Sequence, residues 1–157
     1  MKRHLFAIAA ATALAACATA PKPPTTAELL VGKWECAGKV GPADMTEDVT
    51  YATGGTSTMK LSAAMQQGAM NVALSGTGAG TWALNEGDQL EETVTDVKID
   101  SASVNGKEVG VAMFQGLLAQ ALDKPTTSSV AVTKTDLTLT QTGVAEGAKP
   151  VVRTCKR

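Results

Sequence analysis

The sequence predicts a mainly β domain, an antiparallel meander of eight or nine short strands with one helix before the last strands. Three observations carry this. Apolar residues recur at every second position in short runs, and Gly- and Asn-containing turn signals separate the runs. A single window, Lys107 to Asp123, changes to spacings of three and four. Cysteines stand in the first and last runs, Cys36 and Cys155, where a covalent link would draw the two ends of the sheet together.

The first strand opens at Gly32-Lys33-Trp34-Glu35-Cys36, led in by Leu29, Leu30 and Val31, with Trp34 and Cys36 facing inward. Pro42 to Glu47 reads as a turn or loop. Val49 and Tyr51 share one face ahead of Thr53-Gly54-Gly55-Thr56, a strong hairpin signal. Ser57, Met59 and Leu61 then alternate on the return strand, and Ala63 to Ala69 reads as a connection. Met70, Val72 and Leu74 alternate before Ser75-Gly76-Thr77-Gly78-Ala79-Gly80, whose glycines predict a bulge or sharp bend. Thr81 to Leu84 resumes the alternation, and Asn85-Glu86-Gly87-Asp88 is a tight turn. From Leu90 to Asp100 the apolar face moves from even positions (Leu90, Val94) to odd ones (Val97, Ile99). A one-residue slip turns side chains to the other face, so a bulge is expected near Thr95-Asp96.

The helical window places Val109, Val111, Met113, Phe114, Leu117, Leu118, Ala121 and Leu122 mostly on one face. Asn105 serves as its cap and Lys124-Pro125 as its stop. Strands return at Ser129 to Thr133 and Leu137 to Thr140. Thr142 to Lys149 is a Gly-containing loop, and Val151 to Cys155 closes the chain.

Ahead of this domain, Met-Lys-Arg-His precedes an apolar run from Leu5 to Ala16, the pattern of a secretory signal peptide. The run is shorter than the roughly 20 residues a membrane-spanning helix needs. It ends in Leu14-Ala15-Ala16-Cys17, which resembles the lipobox of bacterial lipoproteins. That resemblance implies cleavage before Cys17 and acylation of its sulfur and amine by fatty chains such as palmitate. It also implies retention at the outer membrane, since Ala18 rather than Asp follows the cysteine, with the domain facing the periplasm. More than one acyl chain gives stable anchoring. The expected organisation is a signal peptide over 1–16, a lipidated, Pro/Thr-rich tether over 17–27 and one domain over 28–157.

Cleavage would shorten the 157-residue chain to 141 residues, enough for one domain with a core. Loss of Lys2 and Arg3 from its 14 basic residues leaves 12 against 15 acidic ones, a net charge of −3. No basic cluster points to nucleic acid, and the membrane contact expected is the lipid alone. With Cys17 assigned to lipid, Cys36 and Cys155 remain as a pair in an oxidising compartment. They are read as a structural disulfide, since a redox or metal pair wants close spacing. The only histidine, His4, lies in the signal, so the mature chain has no group for Ser-His-Asp or Cys-His catalysis or His-ligated zinc. No cofactor and no metal are expected.

Gly32-Lys33-Trp34 on the opening strand, the Gly-punctuated meander and a helix before the last strands together resemble lipocalin-like (calycin-like) domains of bacterial envelope lipoproteins. In lipocalins the Gly-x-Trp tryptophan packs across the closed end of an up-and-down barrel, and the open end admits an apolar ligand. The resemblance implies a small hydrophobic ligand, with Trp34, Trp82, Met59 and Phe114 as candidate contacts; Trp34, Trp82 and Met59 also read as core residues. The alternative is an envelope interaction protein, such as an inhibitor of a lysozyme or a protease, although no Ser-Gly-x-Arg-Tyr-type loop is present. An enzymatic reading would rest on paired carboxylates among Glu91, Glu92, Asp96 and Asp100, which read more simply as a solvated strand face. A non-enzymatic binding role is expected.

Overall fold

The computed structural model describes residues 22–120, 122–141 and 149–157. The expected signal peptide, Cys17 and tether residues 18–21 lie outside the described residues, as do residues 142–148 of the predicted loop. The elements are α1 (Thr26–Leu30), β1 (Gly32–Val40), β2 (Ala43–Tyr51), β3 (Thr56–Gln67), β4 (Met70–Asn85) and β5 (Gln89–Val104), then β6 (Lys107–Glu108), α2 (Ala112–Ala119), β7 (Pro125–Val132), β8 (Asp136–Gln141) and β9 (Val151–Lys156). Every strand pair is antiparallel. The order β4-β3-β2-β1-β9-β8-β7-β5, with β4 also paired to β5, closes an eight-stranded barrel, and β6 adds to the far end of β5. No helix of the described residues is long and apolar enough to cross a membrane.

The predicted alternation sets which side chains face inward. Trp34, Cys36, Val49, Tyr51, Leu90, Leu137, Leu139 and Cys155 form one buried cluster with Leu30. Cys36 and Cys155 face each other in the β1–β9 register and are joined as a disulfide, Sγ to Sγ 2.07 Å. The bulge expected near Thr95-Asp96 is present: Ala79 pairs with Asp96 and Gly80 with Val94, leaving Thr95 unopposed. A second bulge leaves Asp100 unopposed between Ile99 and Ser101. The β4 glycines face these irregularities. A Cβ at Gly76 would sit 2.5 Å from the Lys98 carbonyl oxygen, and one at Gly80 would run into that of Thr93.

Several boundaries differ from expectation. Pro42 to Glu47 is not a loop: the chain turns at Gly41-Pro42, and β2 runs from Ala43 between β1 and β3. The pattern is hidden there because Glu47 occupies an inward position. Ala63 to Ala69 is likewise mostly strand, with the turn at Gly68, whose φ is +61°. Ala63 and Met65 carry the inward parity, and an alanine marks it weakly. Leu29 and Leu30 end a short helix instead of leading a strand. Thr25 accepts from the Glu28 amide while the Glu28 carboxylate accepts from the Thr25 amide, a reciprocal cap. The first helix of the described residues thus begins at Thr26.

The predicted helix is the largest correction. Only Ala112–Ala119 is helical, because Asn105 and Gly106 both take positive φ (51° and 75°) and turn the chain straight back into β6. Asn105 is therefore a hairpin residue and not a helix cap. Its side-chain oxygen accepts from the Asn71 amide at 2.8 Å. Pro125 opens β7, four residues ahead of the expected strand.

Candidate functional site

The strand directions give the barrel two unlike ends. At one, α1 lies over the start of β1. The Trp34 indole donates to the Leu30 carbonyl at 2.8 Å, and the Arg157 guanidinium stacks on its ring, 4.1 Å from the centroid. Arg157 also donates to the carbonyls of Leu29 (2.8 Å), Val31 (3.0 Å) and Lys134 (2.7 Å), so one side chain ties α1, β1 and the β7–β8 turn together. That end is packed shut.

Toward the other end the inward positions turn polar. Glu47 on β2, Glu92 on β5 and Arg153 on β9 converge inside the barrel, and the Tyr51 hydroxyl reaches them from the β2 residue that opposes Gly32. Arg153 donates from Nη1 to Glu47 Oε2 at 2.9 Å and from Nη2 to Glu92 Oε2. The Tyr51 hydroxyl donates to the other Glu92 oxygen at 2.7 Å. The Tyr51 ring packs edge-on against Trp82, centroids 5.7 Å apart, and the Trp82 indole donates to the carbonyls of Ala52 and Thr56. Packing and hydrogen bonding fix the platform from below.

Burial and charge bias the titration of this group. Desolvation pushes the Glu47 carboxyl above its ordinary value, with the Glu92 charge adding to the push and Arg153 opposing it. Desolvation and then Glu92 raise the Tyr51 hydroxyl far above the phenolic range. Burial works against the Arg153 cation, but Glu92 and Glu47 outweigh it and hold the guanidinium charged.

Beside the cluster lies a cavity of about 170 Å³, walled by Glu47, Ser57, Met59, Glu92, Val94, Thr126, Gln141, Val151 and Arg153 and reaching Val40 at the end of β1. Glu47 is 8% exposed. Its Oε1 has no hydrogen-bond partner among the described residues. No side-chain oxygen or nitrogen of those residues is both sealed and unpaired, so this oxygen is accessible, as is the Arg153 Nε, and both side chains line the cavity. A larger concavity of about 500 Å³ lies on the outer surface of β1–β4. Its walls are mainly outward strand residues such as Lys33, Glu35, Asp48, Thr50, Thr58 and Lys60, with no enclosed polar group.

Of the four candidate contacts, Met59 lines the interior cavity. Trp34 is 1% exposed and belongs to the packed end, Trp82 supports Tyr51, and Phe114 sits half-buried on α2. The four acids considered as a catalytic set are not brought together. Glu92 points inward, while Glu91, Asp96 and Asp100 are exposed, Asp100 being paired with Lys98 at 3.1 Å. Sequence reasoning missed Glu47, Tyr51 and Arg153 as a site. Strand parity was the available signal: Glu47 stands two residues before Val49, and Arg153 two before Cys155, both on the buried face. Among the described residues no group of three or more His, Cys, Asp or Glu is placed to hold a metal ion.

A scan of the chain against protein-family models finds no match, and neither does a comparison with the curated proteins.

Proposed function

We propose that the chain is a lipid-anchored, non-enzymatic envelope protein of the outer membrane, with a lipocalin-like barrel in the periplasm that holds one small, partly apolar molecule. The interior cavity above the Glu47–Arg153–Glu92 cluster carries this reading. An eight-stranded barrel is just wide enough to be filled by side chains or to hold one small ligand. Here one half is filled and the other opens beside a polar floor, the arrangement of a pocket in which a few polar groups orient an apolar body. At about 170 Å³ the space suits a compact molecule, well below the roughly 300 Å³ where drug-sized pockets begin.

Native mass spectrometry of the chain purified after envelope expression tests the reading. The expected result is a reproducible excess mass that organic extraction releases. A protein that stays empty when challenged with small amphiphiles would overturn it and favour a protein-partner role, to be sought by crosslinking. The anchor has its own test: labelling with an alkynyl fatty acid is expected to mark the wild-type chain and to be lost in Cys17→Ser.

A further inference from the structure

We infer that the barrel cavity is built for a small organic cation, an ammonium or amidinium group on a compact apolar body, with Glu47 Oε1 as its counter-ion. The inference rests on the ligand-holding reading above and adds the charge of the ligand. Three observations converge on it.

The first is valence. Arg153 places one N–H of each Nη on Glu47 and Glu92, and the Tyr51 hydroxyl donates to Glu92, so the guanidinium charge is already shared between two carboxylates. The Glu47 oxygen left on the cavity wall is an acceptor, since a carboxylate accepts only. An incoming anion would meet that oxygen beside a guanidinium whose charge two carboxylates already offset. The second is charge balance. Two carboxylates face one guanidinium, so the ionised cluster carries a net negative charge inside the barrel. A buried charge without a partner is costly, and a bound cation supplies the missing one. The third is size and lining. A dry protein cavity of about 150 Å³ is known to accept benzene, so about 170 Å³ takes a ring or short branched body with one polar substituent. Met59, Val94 and Val151 give the apolar wall, and the thioether of Met59 is soft enough to pack against a ring.

The test compares three probes of one shape and different charge, benzylammonium, benzyl alcohol and phenylacetate, titrated into the full chain by calorimetry at pH 7.5. Benzylammonium is expected to bind at least tenfold more tightly than the alcohol, with no binding of phenylacetate. Glu47→Gln is expected to erase the tenfold preference while leaving the weaker binding of the alcohol. Equal binding of alcohol and ammonium by the wild type would overturn the cation assignment and leave a small-ligand pocket standing. Failure of all three probes would overturn both readings. Should Glu47→Gln not fold, the wild-type ranking of the three probes decides alone.

Discussion

Glu47 shows how one inward acid shapes both stability and chemistry. In the unfolded chain its carboxyl titrates at its ordinary value near 4.5, and in the barrel desolvation raises it. A carboxyl raised on folding lends stability that is fully present below the unfolded value and is lost as pH rises through the folded one. The stability of the wild type relative to Glu47→Gln should therefore fall as pH climbs above about 4.5. It should level off once the buried carboxyl has ionised. Urea titrations of both proteins between pH 4 and 8 check this, and a difference that rises with pH would contradict the assignment. Arg153 gives the complementary test. Removing one partner of a buried ion pair leaves the other charge uncompensated, so Arg153→Ala should cost about 3–5 kcal/mol by urea unfolding at neutral pH.

At the scale of elements, α2 is held by an uncommon device. Beyond the stretch that pairs with β7, Gln89–Thr93, no strand pairs with that edge of β5 until β6 at Ser103; single amides of Asp123 and Val109 reach the Val94 and Ala102 carbonyls. In the gap the Gln115 side chain behaves as a strand of one residue: its oxygen accepts from the Ile99 amide at 2.9 Å and its nitrogen donates to the Val97 carbonyl at 2.6 Å. Gln115→Leu should cost about 1–3 kcal/mol, because both backbone groups lose their partner. Hydrogen exchange should quicken at Ile99 and stay unchanged at Val49 in the packed end. Such a contact is illegible in sequence, since Gln115 reads there as a polar helix residue. The strands were legible where apolar residues recur at every second position, as in Val49-Tyr51 and Val72-Leu74. The shift of parity between Val94 and Val97 even located a bulge. Reading failed where an inward position holds Glu47 or Ala63. It failed again where apolar spacing across Lys107–Asp123 looked helical although Asn105-Gly106 dictates a hairpin. The site was hidden for the same reason as β2, since charged residues score as outward until the partner that buries them is known.

For the whole molecule, closure depends on short seams among the later strands. β1 meets β9 over Glu35–Gly38 alone and β5 meets β7 over Gln89–Thr93, whereas β3 and β4 pair without break from Thr56 to Gln67. The Cys36–Cys155 bond crosses the shorter seam, 119 residues apart in sequence. In the chain-entropy model a loop of that length is worth about 4–5 kcal/mol, with measured losses of native disulfides running about 2–5 kcal/mol. The Cys36→Ser, Cys155→Ser double variant should fall in that range by urea unfolding. The loss should also be directional. Amides of β1 and β9 should exchange faster than those of β3 and β4, whose hairpin keeps its register without the bridge. Because Arg153 stands two residues from Cys155 on the same face of β9, a loosened seam should also disorder the floor of the cavity. Reduction of the wild-type protein should then weaken the proposed binding of benzylammonium before the barrel unfolds. A reduced protein that keeps its affinity and its β9 protection would mean that Arg157, stacked on Trp34 and bonded to three carbonyls, holds the seam by itself.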